Sequence, residues 1–181
     1  MDIRHHRLDG ATFIPSPNHD ERRAGDDISL IVIHGITLPP NQFGGEGITQ
    51  LFTNTLDAGE HPYYAGIAHL RVSAHVLIRR SGDIIQYVPF DKRAWHAGES
   101  SYQGRSVCND FSIGIELEGT DDCPYEDVQY RRLNAVIDAL MGTYPTLSRE
   151  RITGHEHIAP GRKTDPGPCF DWKRLAGAVP G

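Results

Sequence analysis

Apolar residues in this chain alternate in short runs more than they form long stripes. The run over 28–34, Ile-Ser-Leu-Ile-Val-Ile-His, is apolar on both alternating faces: Ile31 and Ile33 on one, Leu30 and Val32 on the other. Such a run marks a central strand covered on both sides. His34 stands at its C-terminal end, just before Gly35. Residues 72–78 alternate Val72, Ala74, Val76 and Ile78 with Ser73, His75 and Leu77. A second run over 83–88 follows Ser81-Gly82, so the pair reads as a hairpin. Residues 111–117 alternate as well, with Phe111, Ile113, Ile115 and Leu117 on one face and Ser112, Gly114 and Glu116 on the other.

The longest helix is predicted over 125–144. Val128, Leu133, Ile137, Leu140 and Met141 form its stripe, and Pro124 suits its first turn. Shorter helices are expected over 48–54 and 171–176. The stretches 36–47, 57–68, 91–110 and 152–170 read as loops, and loops of such length are commonly functional. Residues 1–27 are polar and rich in turn formers, and read as an N-terminal extension packed on the rest. Strands followed by a long helix predict an α/β (α+β) fold, with a mixed central sheet flanked by helices. The 181 residues are the size of one domain, residues 1–181.

Charge narrows the functional classes. Eighteen basic residues stand against 24 acidic ones, a net charge of −6. That disfavours binding to nucleic acid, whose readers are normally basic, and to anionic membrane surfaces. No apolar run approaches the roughly 20 residues that span a bilayer. The N-terminus, MDIRHHRLDGATF, lacks the apolar core of a secretory signal, so a cytoplasmic protein is expected. Three cysteines, with no CxxC pair, fit free thiols in a reducing compartment.

The ten histidines carry the chemistry. Three segments end in groups that bind metal or move protons: His34-Gly35, Glu116 after Ile113-Gly114-Ile115, and the run from Gly154 through His155, Glu156, His157 and Lys163 to Asp165. Asp165 precedes Pro166, which biases it towards extended backbone, so Lys163 and Asp165 point the same way. Prolines at 160, 166 and 168 stiffen this loop. Two imidazoles and one carboxylate, as His34, His155 and Asp165 can supply, leave a Zn²⁺ centre net positive and able to acidify a water. A set of His34, His155 and His157 is a rival, since residues two apart share one side of a strand.

Taken singly, each residue also has an ordinary reading. His34 can hydrogen-bond a loop, His155 and His157 can be a surface pair, and Asp165 can form a turn. Their co-occurrence favours a site. Gly114 leaves room beside Glu116, which suits a general base; a solvated glutamate beside Glu118 is an equal reading. Lys163 can stabilise an oxyanion or be a surface lysine. His75 and His96 read as hydrogen-bonded structural groups or pocket walls. Trp95 and Tyr63 suit the wall of a sugar or peptide groove as well as they suit packing. HExxH, GxSxG and the GxxxxGK[ST] phosphate loop are all absent.

The sequence resembles the zinc-dependent N-acetylmuramyl-L-alanine amidases of the AmpD type, within the amidase/peptidoglycan-recognition superfamily. The matching stretches are IVIHG with LPPNQFGG, HPYY, LRVSAHVLIRRSGDIIQYV, AWHAGES, NDFSIGIELEG and ITGHEHIAPGRKTDPGPCFDW, spanning about residues 30–173. The resemblance implies a mixed sheet flanked by helices and one zinc ion on His34, His155 and Asp165. It implies Glu116 as acid/base, Lys163 as helper cation, and Arg71 and Trp95 as pocket-lining residues. The implied reaction hydrolyses the amide between the lactyl group of muramic acid and L-alanine, on 1,6-anhydro-muropeptides in cytoplasmic cell-wall recycling. The expected partner is that substrate alone, with no nucleic acid and no membrane, and the protein is expected to be a monomer. An amidase acting on intact wall, or a peptidoglycan-binding module without activity, is the alternative. Two positions depart from the family pattern: Gly35 stands where a larger residue such as Asn is expected, and His157 where Asp is common. His157 is therefore expected near the site or exposed, and not as a ligand.

Overall fold

The computed structural model describes residues 1–23 and 27–175. Four short strands open the chain: β1 (Ile3–Arg4), β2 (Arg7–Leu8), β3 (Thr12–Phe13) and β4 (His19–Glu21). The central strand β5 (Leu30–Ile36) follows, then helices α1 (Gly47–Phe52) and α2 (Pro62–Ala65). Strands β6 (Val76–Ile78), β7 (Ile84–Gln86), β8 (Lys92–Ala94), β9 (Ser101–Tyr102), β10 (Arg105–Ser106) and β11 (Ser112–Glu118) come next. The chain continues with helix α3 (Asp127–Thr143), strand β12 (Ile152–Gly154) and helix α4 (His155–Ile158). Among the described residues no helix is long and apolar enough to cross a membrane.

Six strands form the main sheet in the order β12-β5-β11-β6-β7-β3. β12, β5, β11 and β6 run parallel, β7 is antiparallel to β6, and β3 closes the edge parallel to β7. The sheet is therefore mixed, as the pattern of short strands and one long helix predicts. The N-terminal extension adds its edge strand. The register sets Glu116 of β11 opposite His34 of β5, and Thr153 of β12 opposite Val32.

The period of two then sorts side chains onto two faces. Ile31, Ile33, Ile113, Ile115 and Leu117 share one core with Leu133, Val136, Ile137 and Leu140 of α3, all fully buried. Gln129, also fully buried, ties the start of that helix to the sheet. Its Nε2 donates to the carbonyls of Ile78 and Glu118, and its Oε1 accepts from the Glu126 N–H. On the opposite face Leu30 and Val32 pack with Ala97, Cys108 and Ile158.

Several boundaries differ from the sequence reading. The strand expected over 72–78 is regular only at Val76–Ile78. The Ser73 N–H is taken by the Trp95 carbonyl, and its hydroxyl donates to Asn18, both outside the main sheet. Phe111 lies ahead of β11, with φ −128° and ψ 10°, and joins the Leu30 and Val32 cluster instead of the face of Ile113. The loop 91–110 holds a β9–β10 hairpin, and the loop 152–170 holds β12 and α4. The closing helix is a 3-10 turn at Trp172–Arg174; residue 176 lies outside the described residues.

Candidate metal and catalytic site

The carboxyl ends of parallel strands are where open α/β sheets bind ligands. Here β5 ends in His34, β11 carries Glu116 beside it, and β12 runs into His155 at the first position of α4. Asp165 comes from the following loop, held by two contacts. Its carbonyl accepts from the Glu156 N–H at 2.9 Å, and the next carbonyl, of Pro166, accepts from the Tyr125 hydroxyl at 2.9 Å.

These elements bring three ligand atoms together. The His34 Nδ1 and His155 Nδ1 atoms lie 3.0 Å apart, and Asp165 Oδ2 is 3.1 Å from the first and 3.0 Å from the second. The outer Nε2 of His155 donates to the Ala97 carbonyl at 3.2 Å, which leaves its Nδ1 lone pair facing inward. A buried triangle of two imidazole nitrogens and one carboxylate oxygen is the donor set zinc takes in hydrolytic sites, and the residues fit it. Burial pushes the His34 imidazole down to about 4, so the ring is neutral, as a ligand must be. Burial opposes the charge on Asp165, but the two imidazoles facing it more than compensate and hold its carboxyl below the ordinary carboxylate range.

A cavity of about 320 Å³ opens over this triangle. His34, Glu116, His155, Lys163 and Asp165 line its polar floor, while Leu51, Phe52, Ile67 and Val72 belong to an apolar wall. Glu116 is buried, and its Oε2 has no hydrogen-bond partner. A buried carboxylate oxygen left unpaired is costly unless something else binds there. Burial, with the Asp165 charge adding to it, pushes the Glu116 carboxyl well above its usual range, and Lys163 pulls the other way.

Of the residues singled out from sequence, Tyr63 and Trp95 line the cavity. Arg71 does not. Its guanidinium folds back onto the carbonyls of Ala68, His69 and Leu70, in the turn that follows α2. The rival ligand His157 is exposed. α4 is a helical turn and not a strand, so His155 and His157 diverge, and His157 leans on Trp172 at 6.0 Å. The space expected beside Glu116 at Gly114 is filled: a Cβ there would overlap the His96 ring. Gly35 has a packing reason, since a Cβ there would overlap the Tyr125 hydroxyl. Tyr125, which sequence reasoning treated only as the start of a helix, thereby supports the Asp165 loop. Local pattern carries no sign of a contact 41 residues away.

A family model described as N-acetylmuramoyl-L-alanine amidase matches residues 24–168. The chain belongs to the N-acetylmuramoyl-L-alanine amidase family. It is 63% identical over 169 residues to the 1,6-anhydro-N-acetylmuramyl-L-alanine amidase AmpD of Citrobacter freundii, covering 93% of this chain and 90% of that protein. A crystal structure of a selenomethionine AmpD derivative superposes with a TM-score of 0.95 at 60% identity, covering 97% of this chain and 98% of the other. A more distant amidase, AmiD of Escherichia coli, solved with anhydro-N-acetylmuramic acid-L-Ala-D-γ-Glu-L-Lys, superposes with a TM-score of 0.60 at 30% identity. That match covers 86% of this chain and 59% of AmiD. This amidase thus shares its mixed sheet and flanking helices with both solved relatives.

Proposed function

We propose that this amidase is a zinc enzyme that hydrolyses the amide between the lactyl group of 1,6-anhydro-N-acetylmuramic acid and L-alanine, in the recycling of cell-wall fragments. Identity of 63% across nine-tenths of an AmpD amidase supports the substrate class. The observation that carries the chemistry is the convergence of His34, His155 and Asp165 in one cavity with the unpaired Oε2 of Glu116.

His34, His155 and Asp165 would hold the metal. Zinc, when bound, supplies a Lewis acid that polarises a carbonyl and acidifies water. Glu116 accepts a proton from the attacking water through Oε2, and the water oxygen adds to the lactyl carbonyl carbon. The elevated affinity of Glu116 for protons suits a group that takes a proton and later gives it up. Lys163 faces the oxyanion as charge builds on the carbonyl oxygen. Glu116 then passes its proton to the L-alanine nitrogen, and the amide C–N bond breaks. Tyr63 and Trp95 would flank the sugar or the peptide stem. Three free cysteines suit a reducing, cytoplasmic setting.

Product mass spectrometry tests this reading with an anhydro-muramyl tripeptide beside its non-anhydro counterpart. Release of free peptide from the anhydro form is expected, abolished by chelator and restored by zinc. Preferential cleavage of the non-anhydro form would move the enzyme to intact wall, and no cleavage of either would leave a binding module.

A further inference from the structure

Among the described residues His96 is the one cavity-lining histidine outside the candidate metal triangle. Its Nδ1 lies 2.9 Å from the outer Nε2 of His34, and its Nε2 lies 3.1 Å from the Ser112 hydroxyl. The Ser112 hydroxyl in turn sits 2.6 Å from the Cys108 carbonyl. That chain has only one consistent direction. A carbonyl accepts and cannot donate, so the serine proton goes to Cys108. The serine oxygen must then accept from His96, which places the His96 proton on Nε2. A neutral imidazole has one N–H, so His96 Nδ1 is an acceptor and His34 donates to it from Nε2. The His34 Nδ1 lone pair is thereby left facing His155 and Asp165.

The His96 ring is held for this task from several sides. It lies over Gly114, where any Cβ would overlap it, and meets the His34 ring edge-on at 5.0 Å between centroids. Its backbone N–H donates to Asn109 Oδ1 at 3.1 Å. Ser112 and Gly114 are alternate residues on the β11 face that also carries Glu116.

We infer that His96 is a positioning residue for the metal site, a relay from the Cys108 carbonyl through Ser112 that sets the tautomer and ring orientation of His34. Partners of this kind on the outer nitrogen of a metal-binding histidine are worth about 10–100-fold in metal affinity. The inference rests on the zinc reading above.

Zinc dissociation constants, measured by competition with a chromophoric chelator, test it. An Asn at 96 sets its amide oxygen near the position of Nδ1 and can still accept from His34. A Gln sets its amide near the position of Nε2 and keeps only the Ser112 contact. His96→Asn is therefore expected within about threefold of wild type, and His96→Gln weaker by about 10–100-fold. Ser112→Ala should lose a few-fold. Thermal melts of the zinc-loaded variants check folding. Equal affinities for wild type and His96→Gln would overturn the inference, as would equal losses in Asn and Gln, which would mark a packing role. A wild-type protein that takes up no zinc would overturn the metal reading and the relay with it.

Discussion

The two faces of strands β5 and β11 are built from alternate residues of the same fourteen-residue pair, yet they do different work. One face, with Ile31, Ile33, Ile113, Ile115 and Leu117, packs dry against α3. The other begins apolar at Leu30 and Val32 and ends in His34 and Glu116, with Ser112 and Gly114 seating His96. The first face supplies burial, at roughly 25 cal/mol per Å². The second spends part of that on polar groups that hold one another in place. The packed reverse side thus holds the strands that carry the candidate metal site.

The sharpest break of this comparison is on the site face. Asp165→Ala removes the charged member of the proposed ligand set, and the protein is expected to lose tightly bound zinc and at least about 10³-fold in turnover while its melting curve stays cooperative. Metal analysis of the purified variant checks this, and a full complement of zinc would remove Asp165 from the ligand set. On the opposite face, Leu133→Ala should cost about 2–5 kcal/mol of stability, by urea unfolding, with KM unchanged. A change in KM without a loss of stability would mean that the faces are not separable.

Acid should act through the buried site-face histidine His75. Burial, with the Arg22 charge adding to it, pushes its imidazole down to about 3. The Gly114 N–H donates to its Nδ1 and its Nε2 donates to the Lys92 carbonyl, so the folded protein has no place for a second proton. The unfolded chain binds that proton below its ordinary value of 6.5. Stability from this group is therefore intact above pH 6.5 and falls as pH drops towards 3, by roughly 3 kcal/mol at pH 4. His75→Gln should shed that slope, so unfolding of wild type and variant at pH 7 and pH 4 isolates it. The smallest effect is expected from Lys163→Met. The residue is exposed at the cavity edge, and kcat should fall by about 10²-fold, the low end for a lost oxyanion donor, with zinc content unchanged.

Much of this was legible in the sequence. The double-sided run over 28–34 and the alternation over 111–117 became the two central strands, and the residues at their ends became the cavity floor. His34, His155 and Asp165 stood out by type and by motif, and the structure draws them within 3.1 Å of one another. What local pattern could not carry was anything set by distant partners. The helical turn that separates His155 from His157 follows from the loop returning Asp165 to the Glu156 N–H. Arg71 is drawn away by carbonyls that only the finished turn exposes. The ring over Gly114 belongs to a loop whose path no periodicity describes.

The most direct test of the central claim is Glu116→Gln, assayed for zinc and for turnover in one preparation. The variant keeps shape and removes the proton acceptor whose Oε2 is buried without a partner. Full zinc, a wild-type melt and a loss of about 10²–10⁴ in kcat are expected. Near-wild-type turnover with zinc in place would contradict the account, since another group would then be moving the proton.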